Sequence, residues 1–371
     1  MYSEVSVAAP AQIANIFGFF DCAGLLCRPP PRTEESRTGG MGDIITVEVI
    51  PDQSDRLIVE YLLRKFDDEG YWGPVEKFSN LAEAIKARPD RDIIGSLVQK
   101  TLHAICNIKP DLHSATSQPL KVTVTKCLPA GKVGVGLGSS ASSTAVTIAI
   151  DKLFGEPLKL WEEDQAKNSG KDPLTRLQIM AEGEKLVSGA RFFDNVAPLF
   201  AGGLVFISDY SSHLAIRSLN WPRHLHVVTI TPDLSLETQR MRELVRDASA
   251  QLFDVAADHK HRLEVMLGLF TNDVERITRF VHGSLIENVR WPAIERSRAL
   301  IEHVEQRRRL GFHISLGISG SGPTVYCLAD SEGLANQIGE ELHEIWHSQG
   351  IMSWWLVQQY NPVGVDPFHV R

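Results

Sequence analysis

The chain has 371 residues, of which 43% are hydrophobic and 23% are charged, and its formal net charge at neutral pH is −8. This composition is typical of a globular protein with room for two domains. It excludes wholesale disorder, collagen-like repeats and a bundle of membrane spans. The acidic balance gives no large basic field for nucleic acid or anionic lipid, but it is compatible with a local basic site for a phosphorylated small molecule.

Five cysteines are spread along the chain without a Cys-x-x-Cys pair or a Cys/His cluster at zinc spacing. An odd number of scattered cysteines favours free thiols in a reducing compartment. The first residues lack a basic segment, and Asp21 interrupts their only apolar run, so we expect no signal peptide. No apolar run reaches the length of about 18 residues that a membrane span needs, so we expect a cytoplasmic location.

Alternating or β-branched runs predict six strands, and helical periodicity predicts four helical stretches. The strands are expected, in chain order, at Val5–Ala9, Ile44–Ile50, Lys121–Lys126, Gly203–Ser208, His226–Thr231 and Thr324–Leu328. The helical stretches are expected at Asp92–Cys106, Ser140–Phe154, Pro173–Val187 and Thr238–Val281. Strands and helices mix without strict alternation, which favours an α+β fold over a doubly wound sheet.

Two segments interrupt these elements. The stretch from Arg28 to Gly42 is rich in proline, glycine and charge and predicts a long loop, either a surface insertion or a lid over a nearby site. The stretch from Asp209 to Arg223 predicts a crossing between domains. We place the boundary near residue 220, which gives an N-terminal domain over residues 1–220 and a C-terminal domain over residues 221–371.

The most informative segment is the glycine-rich stretch after the third predicted strand, which reads LPAGKVGVGLGSSASS over residues 128–143. Glycines let the backbone approach a ligand closely, and the free amides of a helix beginning at Ser139 or Ser140 would complete an anion-binding site. Two familiar phosphate motifs do not fit. Val133 follows Lys132 where a P-loop needs serine or threonine, and Ser139 replaces the third glycine of the dinucleotide fingerprint. Taken alone, the segment also fits a glycine-rich turn capped by serine.

Four segments, in order along the chain, resemble the GHMP small-molecule kinases, a family that includes galacto-, homoserine, mevalonate and phosphomevalonate kinases. The central motif of that family is similar to GLGSSAS at residues 136–142. Its first motif, in the form that homoserine kinases use, is similar to APAQIANIFGFFDCAGLL at residues 9–26. Its glycine-rich third motif resembles LGISGSGPTVYCL at residues 316–328, and a segment characteristic of homoserine kinases resembles SGARFFDNVAPLFAGGLVF at residues 188–206.

The resemblance implies phosphoryl transfer from ATP to a hydroxyl group, with Mg²⁺ as the metal. The residues it implies for nucleotide binding are Gly134, Gly136, Leu137, Gly138, Ser139, Ser140, Gly320 and Gly322. Ser140 and Glu184 are the implied Mg²⁺ ligands, and Lys126 is implied to lie near the phosphates. Without the resemblance, Glu184 would be interpreted as a solvated helix charge and Lys126 as a surface lysine at a strand end.

For the acceptor, the resemblance implies that Asn15 and Asp21 bind the amino group and the hydroxyl of homoserine. It also implies that Arg242 and Arg290 hold the carboxylate, because a guanidinium can bind a carboxylate through two parallel hydrogen bonds. Taken alone, Asn15 would be a turn residue and Asp21 a local cap.

The candidate catalytic residues are Asp21, Lys126, Asp194 and Asn195. In some GHMP kinases an aspartate in the region of residue 194 acts as general base on the acceptor hydroxyl. In homoserine kinases the matching residue is the asparagine, which implies that Asn195 binds substrate. The sequence leaves open whether Asp21 or Asp194 accepts the proton, or whether the proton goes to solvent or phosphate.

The sequence departs from the family pattern at three places. Phe17, Gly18 and Phe19 stand where the first motif usually has Gly-Pro-Gly, and we expect the bulky residues to narrow or reshape the acceptor pocket. Phe192 replaces a histidine two residues before Asp194, which removes a polar group near the phosphates. The segment between Pro129 and Gly136 is longer than in the family.

The resemblance implies a two-domain α+β GHMP kinase fold, with an N-terminal domain like ribosomal protein S-five, a ferredoxin-like C-terminal domain and the site between them. The implied reaction is the conversion of L-homoserine to O-phospho-L-homoserine, a step of threonine biosynthesis. Two alternatives stay open: a kinase for another small hydroxy amino acid such as L-threonine, and a non-catalytic homologue that binds ligand. We expect ATP and a hydroxy amino acid as partners, with no nucleic acid and no membrane. The sequence leaves oligomeric state open, with a homodimer as one option, and it leaves the adenine contacts open.

Overall fold

The computed structural model of the chain describes residues 2–32, 39–51, 53–66, 71–88, 92–129, 135–158, 175–210, 213–281 and 284–371. The strands are β1 (Glu4–Pro10), β2 (Gln12–Ala14), β3 (Ala23–Leu26), β4 (Gly42–Val49), β5 (Leu57–Phe66), β6 (Glu76–Lys77), β7 (Leu120–Pro129), β8 (Leu204–Tyr210), β9 (His213–Leu219), β10 (His226–Pro232), β11 (Ile314–Ile318), β12 (Val325–Ala329), β13 (Ser353–Gln358) and β14 (Pro367–Val370). The helices are α1 (Ser79–Ala87), α2 (Ile93–Ile108), α3 (His113–Thr116), α4 (Ser139–Ser143), α5 (Val146–Leu153), α6 (Arg176–Ser188), α7 (Phe193–Ala201), α8 (Thr238–Asp247), α9 (Leu252–Thr271), α10 (Val274–Val281), α11 (Leu285–Arg290), α12 (Ser297–Arg309) and α13 (Glu332–Ser348).

The largest layer is a six-stranded sheet in the order β14-β1-β4-β7-β5-β6. Its strands pair antiparallel except β5 and β7, which are parallel and are joined through α1, α2 and α3. Helices α2, α5 and α6 cover one face and share a continuous apolar core with it. Helices α2 and α6 pack closely at Gly183 of α6, where a Cβ atom would be only 2.6 Å from a methyl group of Leu97 on α2.

Local sequence signals account for where these helices begin. The carboxylate of Asp92 accepts a hydrogen bond from the amide of Gly95 at 3.1 Å and caps α2. Thr175 and Gln178 form a reciprocal capping box at the start of α6. This second cap fixes the helix that carries Glu184, and its Thr-x-x-Gln signature is present in the sequence.

A second, four-stranded sheet has the order β2-β3-β8-β9, and α7 packs on it. The approach of α7 is close at Gly24 of β3, where a Cβ atom would be 2.0 Å from the carbonyl oxygen of Asp194. Only glycine fits at this position, so the packing of β3 sets where the first turn of α7 lies.

The third sheet has the order β11-β12-β10-β13, with α12 and α13 packed on it around a separate apolar core. Residue 220 lies between β9 and β10, and the boundary that we place there stays a prediction. Beyond it, β14 returns to pair with β1, with Val370 opposite Val5.

The structure confirms the mixed α+β character and all six predicted strands, with ends that shift by a few residues. The predicted helix over Ser140–Phe154 divides into α4 and α5. The long helix expected over Thr238–Val281 is wrong, because the chain leaves the helix after Asp247 and again at Asn272. Asn272 adopts a left-handed conformation with φ 56°, and the Asp273 carboxylate caps the next helix by accepting from the amide of Arg276 at 2.9 Å.

Other elements were not predicted. The segment expected to be only a domain crossing contains β9, which forms a hairpin with β8. Strands β5 and β13 and helices α12 and α13 also have no counterpart among the predictions. Residues 33–38 of the predicted loop over Arg28–Gly42 lie outside the described residues. Within the described ranges, no helix is both long and apolar enough to cross a membrane.

The core of the six-stranded sheet yields a stability prediction. Ile45 is fully buried on β4, so Ile45→Ala should lower the free energy of unfolding by about 2–5 kcal/mol through lost burial and a residual cavity. Urea unfolding followed by circular dichroism measures this. Val363→Ala is the control, since that side chain is 64% exposed and should change stability by less than about 0.5 kcal/mol. Equal effects of the two substitutions would contradict the assigned core.

Candidate active site

A cleft of about 430 Å³ lies between the N-terminal half of the chain and helices α8 and α11, a size suited to a small-molecule ligand. Predicted site residues that line it are Asn15, Asp21, Lys126, Gly136, Gly138, Glu184, Asp194, Asn195, Arg242, Arg290 and Gly320. Leu137 is instead buried in a small apolar cluster beneath the loop, and Gly322 packs near Ile294. Gly134 lies outside the described residues, as do the side chains of Ser139 and Ser140.

The second and third glycine-rich loops are in direct contact at one end of the cleft. Gly136 has φ +83°, and a Cβ atom there would be 2.7 Å from the carbonyl oxygens of both Ser319 and Gly322. The Ser319 hydroxyl donates to the Gly136 carbonyl at 2.6 Å. Glycine is required at residue 136 both for its conformation and for this approach.

Lys126 belongs to a buried polar triad. Its Nζ donates to Asp43 Oδ2 at 2.7 Å and to Ser143 Oγ at 2.6 Å, and Ser143 Oγ donates to Asp43 Oδ2 at 2.8 Å. Lys126 and Asp43 are directly opposite each other on β7 and β4. The triad holds a buried ammonium group next to a compensating carboxylate at the edge of the cleft.

Glu184 is 3% exposed on α6, and its Oε1 accepts a hydrogen bond from Ser188 Oγ at 2.5 Å. The described residues contain no cluster of three or more His, Cys, Asp or Glu side chains that would hold a metal by themselves. Mg²⁺ bound with nucleotide phosphates needs only one or two protein oxygens. A buried carboxylate that lines the cleft therefore fits a magnesium ligand, whereas the side chain of Ser140 lies outside the described residues.

Asp194 is buried in the first turn of α7, with its neighbour Asn195 also lining the cleft. Burial raises the pKa of Asp194 to about 8, and the negative charges of Asp21 and Glu184 add to the rise while Arg242 opposes it. Asn195 Nδ2 donates to Asp194 Oδ1 at 3.4 Å. Asp194 therefore carries a proton over most of the neutral pH range.

The first motif forms a tight loop that brings Asn15 and Asp21 together. Both residues have positive φ angles, 59° and 54°. The Asn15 side chain bridges two segments: its Oδ1 accepts from the Asp21 amide at 2.7 Å, and its Nδ2 donates to the Gly320 carbonyl at 2.9 Å. Asparagine and aspartate tolerate this left-handed conformation better than most residues.

Arg242 and Asp21 form an ion pair with each other across the cleft. Arg242 Nη2 lies 2.8 Å and 3.0 Å from the two carboxylate oxygens of Asp21. The guanidinium also stacks on the ring of Phe192, with 3.5 Å between its carbon and the ring centroid. In the structure, two residues with separate implied roles toward the acceptor are therefore partners.

Arg290 is 3% exposed at the end of α11, where its Nη1 donates to the Gly320 carbonyl at 2.9 Å. Burial lowers the pKa of Arg290 to about 10, so the guanidinium remains charged at neutral pH. The ring of Phe20 lies beside both arginines, 4.7 Å from Arg290 and 5.5 Å from Arg242. Two cationic groups thus line the cleft near each other, with the Phe20 ring packed beside both.

The expectation that Phe17 and Phe19 narrow the pocket is wrong for their side chains. Phe17 is fully buried and stacks on Trp221, and Phe19 packs edge-on against Phe206. The backbone of Phe17 has φ 60°, a strained conformation for this residue. Arg262 of α9 donates to the carbonyl oxygen of Phe17 and thereby holds the loop from behind.

Several residues of the site were missed. Asp43 precedes the predicted strand by one residue, but its pairing with Lys126 depends on the register of β4 and β7, which the sequence does not give. Phe20 precedes Asp21 directly. Glu287 is buried on α11, and its Oε1 accepts from the Ile318 amide at 2.8 Å, which fixes the start of the third glycine-rich loop. Its spacing of three residues before Arg290 places both on one helix side.

Two models of known protein families match this sequence. The model for the GHMP kinases N terminal domain matches residues 96–203, and the model for the GHMP kinases C terminal domain matches residues 271–348. Together they span half of the chain. The protein belongs to the GHMP kinase family, with its mixed α+β fold, and it is a small-molecule kinase that phosphorylates a hydroxyl group.

Individual relatives add detail. The homoserine kinase of Xylella fastidiosa is 25% identical over 345 residues, covering 93% of this chain and 88% of the relative. That of Chloroherpeton thalassium is 24% identical over 342 residues, covering 92% of each chain. The crystal structure of homoserine kinase from Cytophaga hutchinsonii superposes with a TM-score of 0.71 at 24% identity, covering 99% of this chain and 98% of that one. Mevalonate-3-kinase from Thermoplasma acidophilum superposes over the full length of both chains with a TM-score of 0.57 at 12% identity.

Glu287 gives a pH-dependent prediction. Burial raises its pKa from an ordinary value of 4.5 to about 7, so between these values the folded protein retains a proton that the unfolded chain has released. This group therefore makes stability fall as pH rises through that window. Glu287→Gln keeps an oxygen that can accept from the Ile318 amide, so it should reduce the fall. Urea unfolding at about pH 5 and about pH 8 tests this, with the exposed Glu302→Gln as control. A Glu287→Gln effect that is the same at both pH values would contradict the prediction.

Proposed function

We propose that this kinase transfers the terminal phosphoryl group of ATP to the side-chain hydroxyl of L-homoserine, giving ADP and O-phospho-L-homoserine, a step of threonine biosynthesis. The observation that carries the proposal is the charge arrangement at the acceptor end of the cleft. Arg242 and Arg290 lie there with Asp21 and Asn15, so cationic and anionic groups face one small volume. A zwitterionic amino acid needs this combination, whereas a neutral sugar does not.

The curated relatives named homoserine kinase support the same acceptor. In the proposal, Arg242 and Arg290 bind the carboxylate, while Asp21 and Asn15 bind the amino group and position the hydroxyl. Asn195 lies beside them and is assigned to substrate binding. Phe192, which lines the cleft beside Arg242, supplies an apolar surface for a short methylene chain.

The opposite end of the cleft suits a nucleotide. Its wall includes apolar side chains of Leu81, Ile85, Ile93 and Val187, which can enclose a base, and Gly136 and Gly138 also line the cleft, where their backbone can approach phosphate groups. Glu184, with Ser140, would hold Mg²⁺. When bound, that ion neutralises charge on the phosphates. Lys126, held by Asp43 and Ser143, adds a fixed positive charge nearby.

Two aspartates are available to take the hydroxyl proton. Both carboxylate oxygens of Asp21 are occupied by Arg242, which favours its role as a positioning group. Asp194 has a pKa raised to about 8, in the range that proton transfer near neutral pH requires. A carboxylate has to be ionised before it accepts a proton, so we assign proton acceptance to the ionised form of Asp194, which its raised pKa makes a stronger base than an ordinary aspartate. The cytoplasmic location stays a prediction.

The proposal is tested by ADP release with Mg·ATP against homoserine, threonine, serine, mevalonate and galactose. We expect kcat/KM for homoserine to exceed that for each other acceptor by at least about tenfold, since a site that pairs with charged groups rejects molecules lacking them. A preference for threonine would show that the acceptor is not homoserine, while phosphoryl transfer from ATP to a hydroxyl group would be retained. Binding of Mg·ATP without turnover on any acceptor would contradict the proposed reaction.

Substitution of one residue at each end of the cleft separates their roles. Arg290→Ala should mainly raise KM for the amino acid, because it removes a carboxylate contact, whereas Glu184→Ala should mainly lower kcat by weakening the magnesium site. Each change should be at least about tenfold. Steady-state kinetics varying each substrate measures this. Arg298→Ala is a matched control, since the Arg298 side chain is 91% exposed on α12. Equal small effects from both cleft variants would contradict the assignment.

A further inference from the structure

Helix α9 exposes an apolar stripe that the kinase site does not use. Among the most exposed large apolar side chains of the described residues, five belong to this one helix: Leu252 at 88%, Phe253 at 81%, Leu263 at 65%, Leu267 at 50% and Phe270 at 69%. The other side of the same helix is buried, with Val265 and Leu269 packed in the core. The helix therefore has two apolar faces, and the described residues cover only one of them.

The uncovered face has the spacing of a helix-pairing seam. The exposed residues Phe253, Ala256, Lys260, Leu263, Leu267 and Phe270 follow each other at alternating steps of three and four. A repeat averaging 3.5 residues keeps side chains facing one partner helix along its whole length. From Phe253 to Phe270 this seam extends for roughly 26 Å at the usual rise of an α-helix.

We propose that this face of α9 is a self-association surface, on which α9 of a second copy of the chain packs antiparallel. The spacing of the seam is the same in both directions, and a phenylalanine stands at each end. In the antiparallel register, Phe253 lies opposite the partner's Phe270, Ala256 opposite the partner's Leu267, and Lys260 opposite the partner's Leu263. Each contact occurs twice, as a two-fold symmetric interface requires.

Charge selects this direction over the parallel one. Parallel pairing in register would place Lys260 against its own copy, which is repulsive within an apolar seam. Antiparallel pairing instead places Lys260 one residue from the partner's Glu264. The Glu264 side chain is 35% exposed and binds Arg276 of its own chain, so it has room to accept a second cation. By symmetry, this contact between Lys260 and the partner's Glu264 occurs twice in the interface.

The area is also sufficient. The two phenylalanines and two leucines of the seam would remove roughly 1,100 Å² from water in total if both copies covered them, above the roughly 1,000 Å² that a specific protein interface needs, and Leu252 at the end of the seam adds to this area. The proposal is independent of the acceptor, so kinase assays and association measurements test different statements.

Sedimentation velocity on the full chain, from about 1 to about 100 µM, tests the proposal. We expect a dimer whose dissociation constant rises by at least about 100-fold in the double variant Leu263→Glu with Leu267→Glu, because two carboxylates would have to be buried in the seam. Leu310→Glu, at a side chain 74% exposed outside α9, is the matched control and should leave the dimer intact. A wild-type protein that stays monomeric throughout, or a double variant that stays dimeric, overturns the proposal.

Disulfide cross-linking tests the same surface without introducing charge, should the glutamate variant fail to fold. Ala256→Cys with Leu267→Cys should give a covalent dimer on mild oxidation, since the two residues are opposite each other only in the antiparallel register. Ala256→Cys alone should not. Wild-type protein controls for Cys22, which is exposed. Cross-linking of the single variant would show parallel pairing, and no cross-linking of the double variant would show no pairing; either result overturns the proposal.

Discussion

The backbone of Gly320 is the contact on which the cleft depends. Its amide donates to the carbonyl oxygen of Ala14 at 3.0 Å, and its own carbonyl oxygen accepts from Asn15 Nδ2 and from Arg290 Nη1, each at 2.9 Å. Next to it, Ser319 binds the carbonyl oxygen of Gly136. Segments distant in sequence are thus joined at the main chain of the third glycine-rich loop. The side chains of Asn15 and Arg290 line the cleft as well, so the same groups that face the cleft also hold its segments together.

Around this junction the protein buries charge at several points, and it compensates each differently. Lys126 Nζ lies 2.7 Å from Asp43 Oδ2, so each of these two buried groups has a partner of opposite charge. Glu287 has a backbone donor and two arginines nearby, yet burial still raises its pKa. Asp194 has two other carboxylates as neighbours and only partial compensation from Arg242. Removing a charged group from water is costly unless an opposite charge or hydrogen bonds compensate it. The cost therefore increases from Lys126 and Asp43 to Asp194 as the compensation becomes less complete. The least compensated group, Asp194, is the one to which we assign proton acceptance.

The sequence made part of this architecture predictable. Glycine spacing and the four ordered motifs identified the segments that meet in the cleft, because such loops need particular residues at fixed positions. Pairings across long separations were not predictable: Asp43 reaches Lys126 only through the register of β4 and β7, and Arg262 reaches Phe17 across 245 residues. Phe17 shows why. A bulky residue in a glycine-like position suggested a crowded pocket, but its strained backbone turns the ring toward Trp221 and into the core.

Because Arg242 and Asp21 form an ion pair, a charged ligand that binds to either residue has to replace the other. A carboxylate that reached Arg242 would exchange one anionic partner for another, and the released Asp21 would become available to an incoming ammonium group. When both charged groups of a zwitterion bind, the Arg242–Asp21 ion pair is broken and two new ion pairs form. The net gain is one ion pair, so the binding free energy is a small difference between interactions of similar strength. A ligand with a carboxylate alone would leave Asp21 without a partner. In the proposed reaction, the site would therefore discriminate between ligands through the penalty for an incomplete exchange of ionic partners.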